Sequence, residues 1–355
     1  MASDKVSANL TGIAAALGVS SATVSNALSG KGRVSAELSD RIRRKAMELG
    51  YVPSPAARAL RTGRSGVLGL VLADIANPLF PQIAQAIEKA AADAGFGVLI
   101  ADSHGDVSKQ TEAINRLIER GVEGMIVIPR RGTRIVDVDC PVAVIDSPST
   151  PGNTVAADHW DGGLQIGRYL AGLGHQDVVI IARNPDSNVQ NDRVGGIRAG
   201  LSAAARTETL WIAHLEQQHG EGCRLGVAEK VRHGFTAFAT VSDLHALRVL
   251  TELQDEGIAV PQLASVTGFD DLIWAPVVTP ALTTMRMDMT RIAEAAITAL
   301  VRAIDARDPA ARPSAGGVIA DISKVAMELV IRRSAAAKNK KTSKDKILPV
   351  GEQTS

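Results

Sequence analysis

Apolar positions near the amino terminus follow two short helical periods separated by a glycine turn. In LTGIAAALGVSSATVSNAL, residues 10–28, Ile13, Ala14, Leu17, Val19, Val24 and Leu28 suit two helices packed across an angle. Gly18 stands where the first helix must stop, a position that favours a residue free to adopt positive φ. Ser20 is placed to cap the second helix by accepting a backbone N–H. A third helix is expected from Ser35, with Leu38, Ile42, Ala46 and Leu49 on one face and Gly50 closing it. Helix-turn-helix units of this kind read DNA by laying their second helix in the major groove. Ser21, Ala22, Ser25 and Asn26 lie on the outer side of that helix, short enough to approach base edges.

The pattern then changes twice. In SPAARALRTGRSG, residues 54–66, Pro55 suits a first helical turn and Gly63 and Gly66 suit an end. This segment has too few apolar residues to fold alone, so it reads as a linker or as a helix formed against a partner. From Val67 strands and helices alternate: VLGLVLAD, a helix from Pro81 to Ala94, FGVLIAD, KQTEAINRLIERGV, GMIVIP and VAVIDS. A second series starts near Asp158 with DGGLQIGRYLAGLG, DVVIIA, RVGGIRAGLSAAA, FTAFATV, SDLHALRVLTELQDEG and SVTGFDD. Near-continuous apolar strands in repeated β-α units imply parallel sheets covered on both faces. Two such series imply two α/β subdomains facing a cleft, with any ligand outside the carboxyl ends of the strands. Residues 207–225 read as a polar loop, and the Lys-rich residues 335–355 as a disordered tail.

Charge sharpens this division. Of 355 residues, 45% are hydrophobic and 22% charged, an ordinary globular balance with a net charge of only +1. Residues 1–66 carry a surplus of six positive charges and residues 335–355 a surplus of three, which leaves eight net negative charges between them. A basic headpiece on an acidic body suits phosphate contact by the headpiece alone. Cys140 and Cys223 are too few for a disulfide scaffold, and no apolar leader or span of about 18 apolar residues appears. A cytoplasmic protein with no membrane role is expected. No G-x-S-x-G elbow or G-x-G-x-x-G loop occurs, and His214, His219 and Cys223 lack zinc-ligand spacing. Neither an enzyme nor a bound metal or cofactor is expected.

Nine motifs in order carry a resemblance: ALGVSSATVSNALSG, RVSAEL, ELGYVPSPAARALRTG, IANPLFPQIAQAIE, RLIERGVEGMIVIP, YLAGLGHQDVVII, RVGGIRAGL, GFDD and PALTTMRMD. Across roughly residues 9–334 the chain resembles the LacI family of transcription regulators. The resemblance implies an α/β protein: a helix-turn-helix headpiece (9–53), a hinge helix (54–66) and a bilobal periplasmic-binding-protein-like core (67–334) of two doubly wound parallel-sheet subdomains. The first would take about 67–160 and 290–320, the second about 161–289 and 321–334, before the tail at 335–355.

It also implies roles. Ser21 and Ala22 begin the recognition helix and Asn26 follows one turn on, with Ala22 limited to a thymine methyl. Thr23, Ser25, Arg33 and Ser35 resemble contacts that fix register on the duplex, Thr11 and Ser20 are further DNA-binding candidates, and Ala57 and Leu60 match the minor-groove positions of the hinge. Phe80, Asp146, Arg193, Ser242 and Asp270 match effector contacts in the cleft, and Trp274, four residues after Asp270, is placed to offer a sugar ring a stacking face. Leu38 replaces the family's usual Thr, Gly12 a longer polar residue, and Ser242-Asp243 the usual Asn-Asp. The implied partners are double-stranded palindromic operator DNA, a second copy of the chain, and a small-molecule effector, a sugar or related metabolite. The tail shows no leucine heptad, so a dimer is expected. A repressor is the leading reading; the alternative is a solute-binding protein without a DNA role.

Overall fold

The computed structural model describes residues 9–29, 34–51, 64–129, 135, 138–146, 154–307 and 323–338. The chain forms two compact units, Met1–Gly66 and Val67–Ser355. In the first, helices α1 (Leu10–Leu17), α2 (Ser21–Ser29) and α3 (Ala36–Glu48) enclose Ile13, Ala14, Val24, Ala27, Ile42 and Ala46. Gly18 takes φ 65° and ends α1, and Ser35 caps α3, both as the pattern demands. Leu38 packs half-buried against this small core, which accounts for an apolar residue there.

The second unit has two lobes. The first lobe carries β1 (Val67–Leu72), α4 (Leu79–Asp93), β2 (Gly97–Asp102), α5 (Val107–Glu119), β3 (Gly124–Val127), β4 (Val142–Ile145) and β5 (Thr154–Ala157). The second carries α6 (His159–Gly172), β6 (Asp177–Ala182), α7 (Asn188–Gly200), β7 (Arg206–Trp211), α8 (Ile212–His219), α9 (Val227–Arg232), β8 (Ala237–Thr240), α10 (Asp243–Asp255) and β9 (Ser265–Thr267). After β10 (Thr284–Met287) come α11 (Met289–Asp305), β11 (Ser323–Val325) and β12 (Met327–Val330). The first sheet runs β11-β5-β4-β3-β1-β2 and the second β7-β6-β8-β9, each wholly parallel, while β10 and β12 pair antiparallel. Strands β3 and β8 are buried at every residue, as strands covered on both faces must be.

Several expectations are corrected. Of residues 207–225, expected as a loop, 207–219 supply β7, an edge strand, and α8, and only 220–225 are irregular. Only Leu210 of β7 is fully buried, so the strand's polar residues concealed it. Residues 323–325 pair with β5 in the first sheet, although 321–334 had been expected in the second subdomain. The tail is anchored where it begins: the Ala336 N–H donates to Ser265 Oγ at 3.1 Å and the Lys338 N–H to the Leu173 carbonyl at 2.8 Å. Helix α4 starts at Leu79, which places Pro81 in the first turn where its missing N–H costs nothing. Of the hinge expected over 54–66, residues 54–63 lie outside the described residues.

Two features hold the site in place. The chain passes between the lobes three times, at 157–159, 287–289 and 325–327, each time within a residue or two. Helices α6 and α7 also approach so closely that a Cβ at Gly163, Gly167, Gly196 or Gly200 would meet the partner helix's backbone. Only glycine permits that approach. Among the described residues, no helix is long and apolar enough to cross a membrane.

Candidate functional site

On the headpiece, Ser20 Oγ accepts the Thr23 N–H at 3.1 Å and lies 2.9 Å from Thr23 Oγ1, so both side chains serve the helix start. Ser35 Oγ accepts the Leu38 N–H at 3.3 Å, and the Gly12 N–H donates to Asn9 at 2.8 Å. Ser21, Ala22 and Asn26 share an exposed face of α2, while Ser25 and Thr23 are half-buried. Thr11, Ser20 and Ser35 are exposed, as are Arg41, Arg43 and Arg44 on α3. Arg33, Ala57 and Leu60 lie outside the described residues.

In the core, four candidate residues converge at the carboxyl ends of the strands. Asp270 follows β9 and Asp146 follows β4, and both hold positive φ, 108° and 60°. Such backbone is costly for a residue with a Cβ and concentrates at functional positions. Arg193, in the second turn of α7, donates from Nη1 to Asp270 Oδ1 and to the Val241 carbonyl, each at 2.8 Å. Its guanidinium lies over the Phe269 ring, 4.0 Å from the centroid. Arg193 Nε donates to His159 Nδ1 at 3.3 Å, and His159 Nε2 stands 3.1 Å from Asp146 Oδ1. Asp146 also accepts the Ala157 N–H at 3.1 Å. A continuous polar chain, Asp146–His159–Arg193–Asp270, therefore joins the first lobe to the second.

Burial tunes these groups. It raises Asp270 above the ordinary carboxylate value, a shift that the Arg193 guanidinium opposes. Burial pushes Asp146 the same way, but the His159 imidazole and the Ala157 N–H prevail and hold it below its ordinary value. Ser242 accepts the Leu244 N–H at 3.3 Å as the cap of α10 and also bonds to Asp270, so it belongs to the cluster. Beside it Asp243 is buried, accepting from Thr284 Oγ1 at 2.6 Å and the Leu272 N–H at 2.7 Å. Burial and the neighbouring Asp270 push Asp243 up to about 8, so it is mainly protonated at neutral pH.

Phe80 sits half-buried in the first turn of α4, packed on the core, at the carboxyl side of β1. Trp274 is 39% exposed in the turn beyond Asp271, and the structure does not bring it into the buried chain. His159 completes the link yet had no motif to mark it. Its only signal was position, directly after a strand and the Asp158 cap of α6.

A basic helix-turn-helix unit in one chain with a bilobal core, whose lobes are joined by a polar cluster, defines a ligand-responsive DNA-binding regulator. Residues 9–54 match the family model "Bacterial regulatory proteins, lacI family", and residues 168–335 match "Periplasmic binding protein-like domain". The "HTH-type transcriptional regulator DegA" of Bacillus subtilis (strain 168) is 30% identical over 77% of this chain and 84% of its own. The structure of a lac repressor dimer bound to operator and the anti-inducer ONPF matches with TM-score 0.74 and 22% identity, covering 93% of this chain and 99% of that one. A periplasmic binding protein/LacI transcriptional regulator from Alkaliphilus metalliredigens QYMF, complexed with D-xylulofuranose, matches at TM-score 0.65 and 20% identity over 76% and 99%. The chain belongs to the LacI family: it is a DNA-binding transcriptional regulator controlled by a small molecule, and not an enzyme.

Proposed function

We propose that the protein is a cytoplasmic repressor that binds a palindromic operator as a homodimer. A sugar or related metabolite held between the lobes governs that binding. The observation that carries this reading is the chain of close polar contacts from Asp146 through His159 and Arg193 to Asp270, because a ligand competing for those contacts changes how the lobes are joined. Arg193, Asp270, Asp146 and Ser242 supply its polar contacts, Phe80 an apolar wall, and Trp274 a stacking face at the rim. The D-xylulofuranose held by the Alkaliphilus regulator supports a sugar-like effector.

On DNA, Ser21, Ala22 and Asn26 read base edges, while Thr11, Ser20, Thr23, Ser25, Arg33 and Ser35 fix register on the backbone. Ala57 and Leu60 enter the minor groove. One short recognition helix spans too few base pairs, so two headpieces are needed. Exposed apolar side chains supply surface for pairing: Leu99 and Ile100 on the edge strand β2, and Ile273 and Val277 beyond Asp271. A gel-shift selection from a random operator pool tests the reading. The expected product is a pseudo-palindrome bound with strong salt dependence, and no salt-sensitive shift at any sequence overturns it.

A further inference from the structure

Beyond the Arg193 chain, three segments of the second lobe bring a second set of charges together. Arg183 directly follows β6, Glu216 lies on α8, and His245 and Arg248 lie on α10. Glu216 is shared: its Oε1 lies 2.8 Å from Arg248 Nη1 and its Oε2 3.7 Å from Arg183 Nη2. Arg248 is further held by the Cys223 carbonyl at 2.8 Å. Arg183 is less engaged: its side chain is 59% exposed, and among the described residues its guanidinium has only that long approach to Glu216.

His245 is the unexplained member. It is 9% exposed, in the first turn of α10, and its Nδ1 is buried without a hydrogen-bond partner. Leaving such a group unmet is costly in a folded protein. Burial, together with Arg183, Arg248 and Arg193, holds the ring in its neutral form, pushed down to about 3. A neutral imidazole offers one N–H donor and one acceptor nitrogen. Three arginines bear on it, while Glu216 is shared between two of them and Asp270 pairs with Arg193. Glu216 is taken up by Arg248 at 2.8 Å, so the exposed Arg183 guanidinium, 3.7 Å away, keeps donors for an incoming anion, which a neutral sugar does not supply.

We infer that Arg183 and His245 form a subsite for an acidic group on the effector, a carboxylate or a phosphate, which takes a charge-assisted hydrogen bond from the arginine and an N–H from the imidazole. The inference rests on the cleft being the effector site, and it narrows the ligand class from sugars to sugar acids or sugar phosphates.

The test pairs neutral and acidic relatives on the full-length protein. Melting temperature and calorimetric affinity are measured with glucose, gluconate and glucose 6-phosphate, and with ribose, ribonate and ribose 5-phosphate. An acidic member is expected to raise the melting temperature where its neutral parent at equal concentration does not, and gluconate against glucose 6-phosphate separates carboxylate from phosphate. Arg183→Gln, at an exposed position that leaves folding intact, is expected to weaken that binding at least tenfold. His245→Phe, checked for folding by circular dichroism, is expected to weaken it as well. If a neutral sugar binds as well as its acids, or Arg183→Gln binds the acid unchanged, the subsite is overturned while the effector reading stands. If no compound in either series shifts melting or operator binding, both fall.

Discussion

Arg193 Nη1 and Asp270 Oδ1 lie 2.8 Å apart with side chains only 5% and 3% exposed, which makes this pair the most deeply buried ion pair among those described. Two charges taken out of water stay stable only while both are present and hydrogen-bonded. Asp270→Ala strands the guanidinium against Phe269 and is expected to lower stability by about 3–5 kcal/mol, read as a fall in the urea midpoint. An unchanged midpoint would show that Arg193 finds another partner.

Close packing of α6 on α7 gives a second prediction. Gly196→Ala or Gly167→Ala drives a methyl into the opposing backbone and is expected to cost at least about 1–3 kcal/mol. Gly172→Ala, also on α6 but with open space around its Cβ, is expected to cost nothing or to stabilise by under about 1 kcal/mol. Thermal melts of the three variants check the contrast.

Two buried groups give stability a defined pH dependence. Asp243 keeps its proton in the folded state up to about pH 8, whereas the unfolded chain releases it near 3.8, so stability falls as pH rises through that window. His245 stays neutral when folded down to about pH 3, whereas the unfolded chain takes up a proton near 6.5, so stability is lost as pH falls through that range. Between pH 4 and 6.5 the two slopes oppose each other. From 6.5 to 8 only Asp243 of these two acts, with a limiting slope of about 1.4 kcal/mol per pH unit. Asp243→Asn is expected to flatten the fall in melting temperature between pH 6.5 and 8. A slope equal to that of the parent protein would disprove the assignment.

For the headpiece, Asn26→Ala is expected to reduce affinity for the selected operator by about tenfold, in line with the worth of a base contact, and to leave random-DNA binding unchanged. Leu60→Ala should likewise weaken specific binding far more than non-specific binding, because unstacking a step matters only on the kinked site. Equal losses on both DNAs in a filter-binding series would count against these roles.

Assembly is checked by sedimentation. A dimer is expected at micromolar concentration, and Ile100→Glu on the edge of β2 is expected to dissociate it. A parent protein that runs as a stable tetramer, or a variant that stays dimeric, would count against this edge as the contact.

Some of this was legible in the chain and some was not. The headpiece could be read because helix period, Gly18 and Ser20 each act through a local backbone rule that does not need the rest of the fold. Arg193 and Asp270 were visible through motifs, and the structure brings them together with Asp146 and Ser242. His159, His245 and the buried, protonated state of Asp243 were not, because they depend on what burial brings together over long sequence distances. The Asp243–Thr284 bond spans 41 positions. Strand β7 was missed for a related reason: at a sheet edge its threonines and glutamate remain partly solvated, and period alone cannot distinguish them from a loop.

The three short crossings between the lobes act as a fulcrum. Arg193 touches two of them, through His159 at the first and through Met287, whose Sδ lies 4.0 Å from Nη2, at the second. With so little chain at each crossing, the lobes can tilt about that axis but can hardly slide. Strand β1 runs six residues from its amino end at Val67 to its end on the cleft side, a lever arm of about 20 Å. A tilt of about 10° about these crossings would displace Val67, where the chain enters the core, by about 3–4 Å, comparable to one base-pair rise along DNA. A small shift between the lobes would thus be magnified at Val67, the far end of the core.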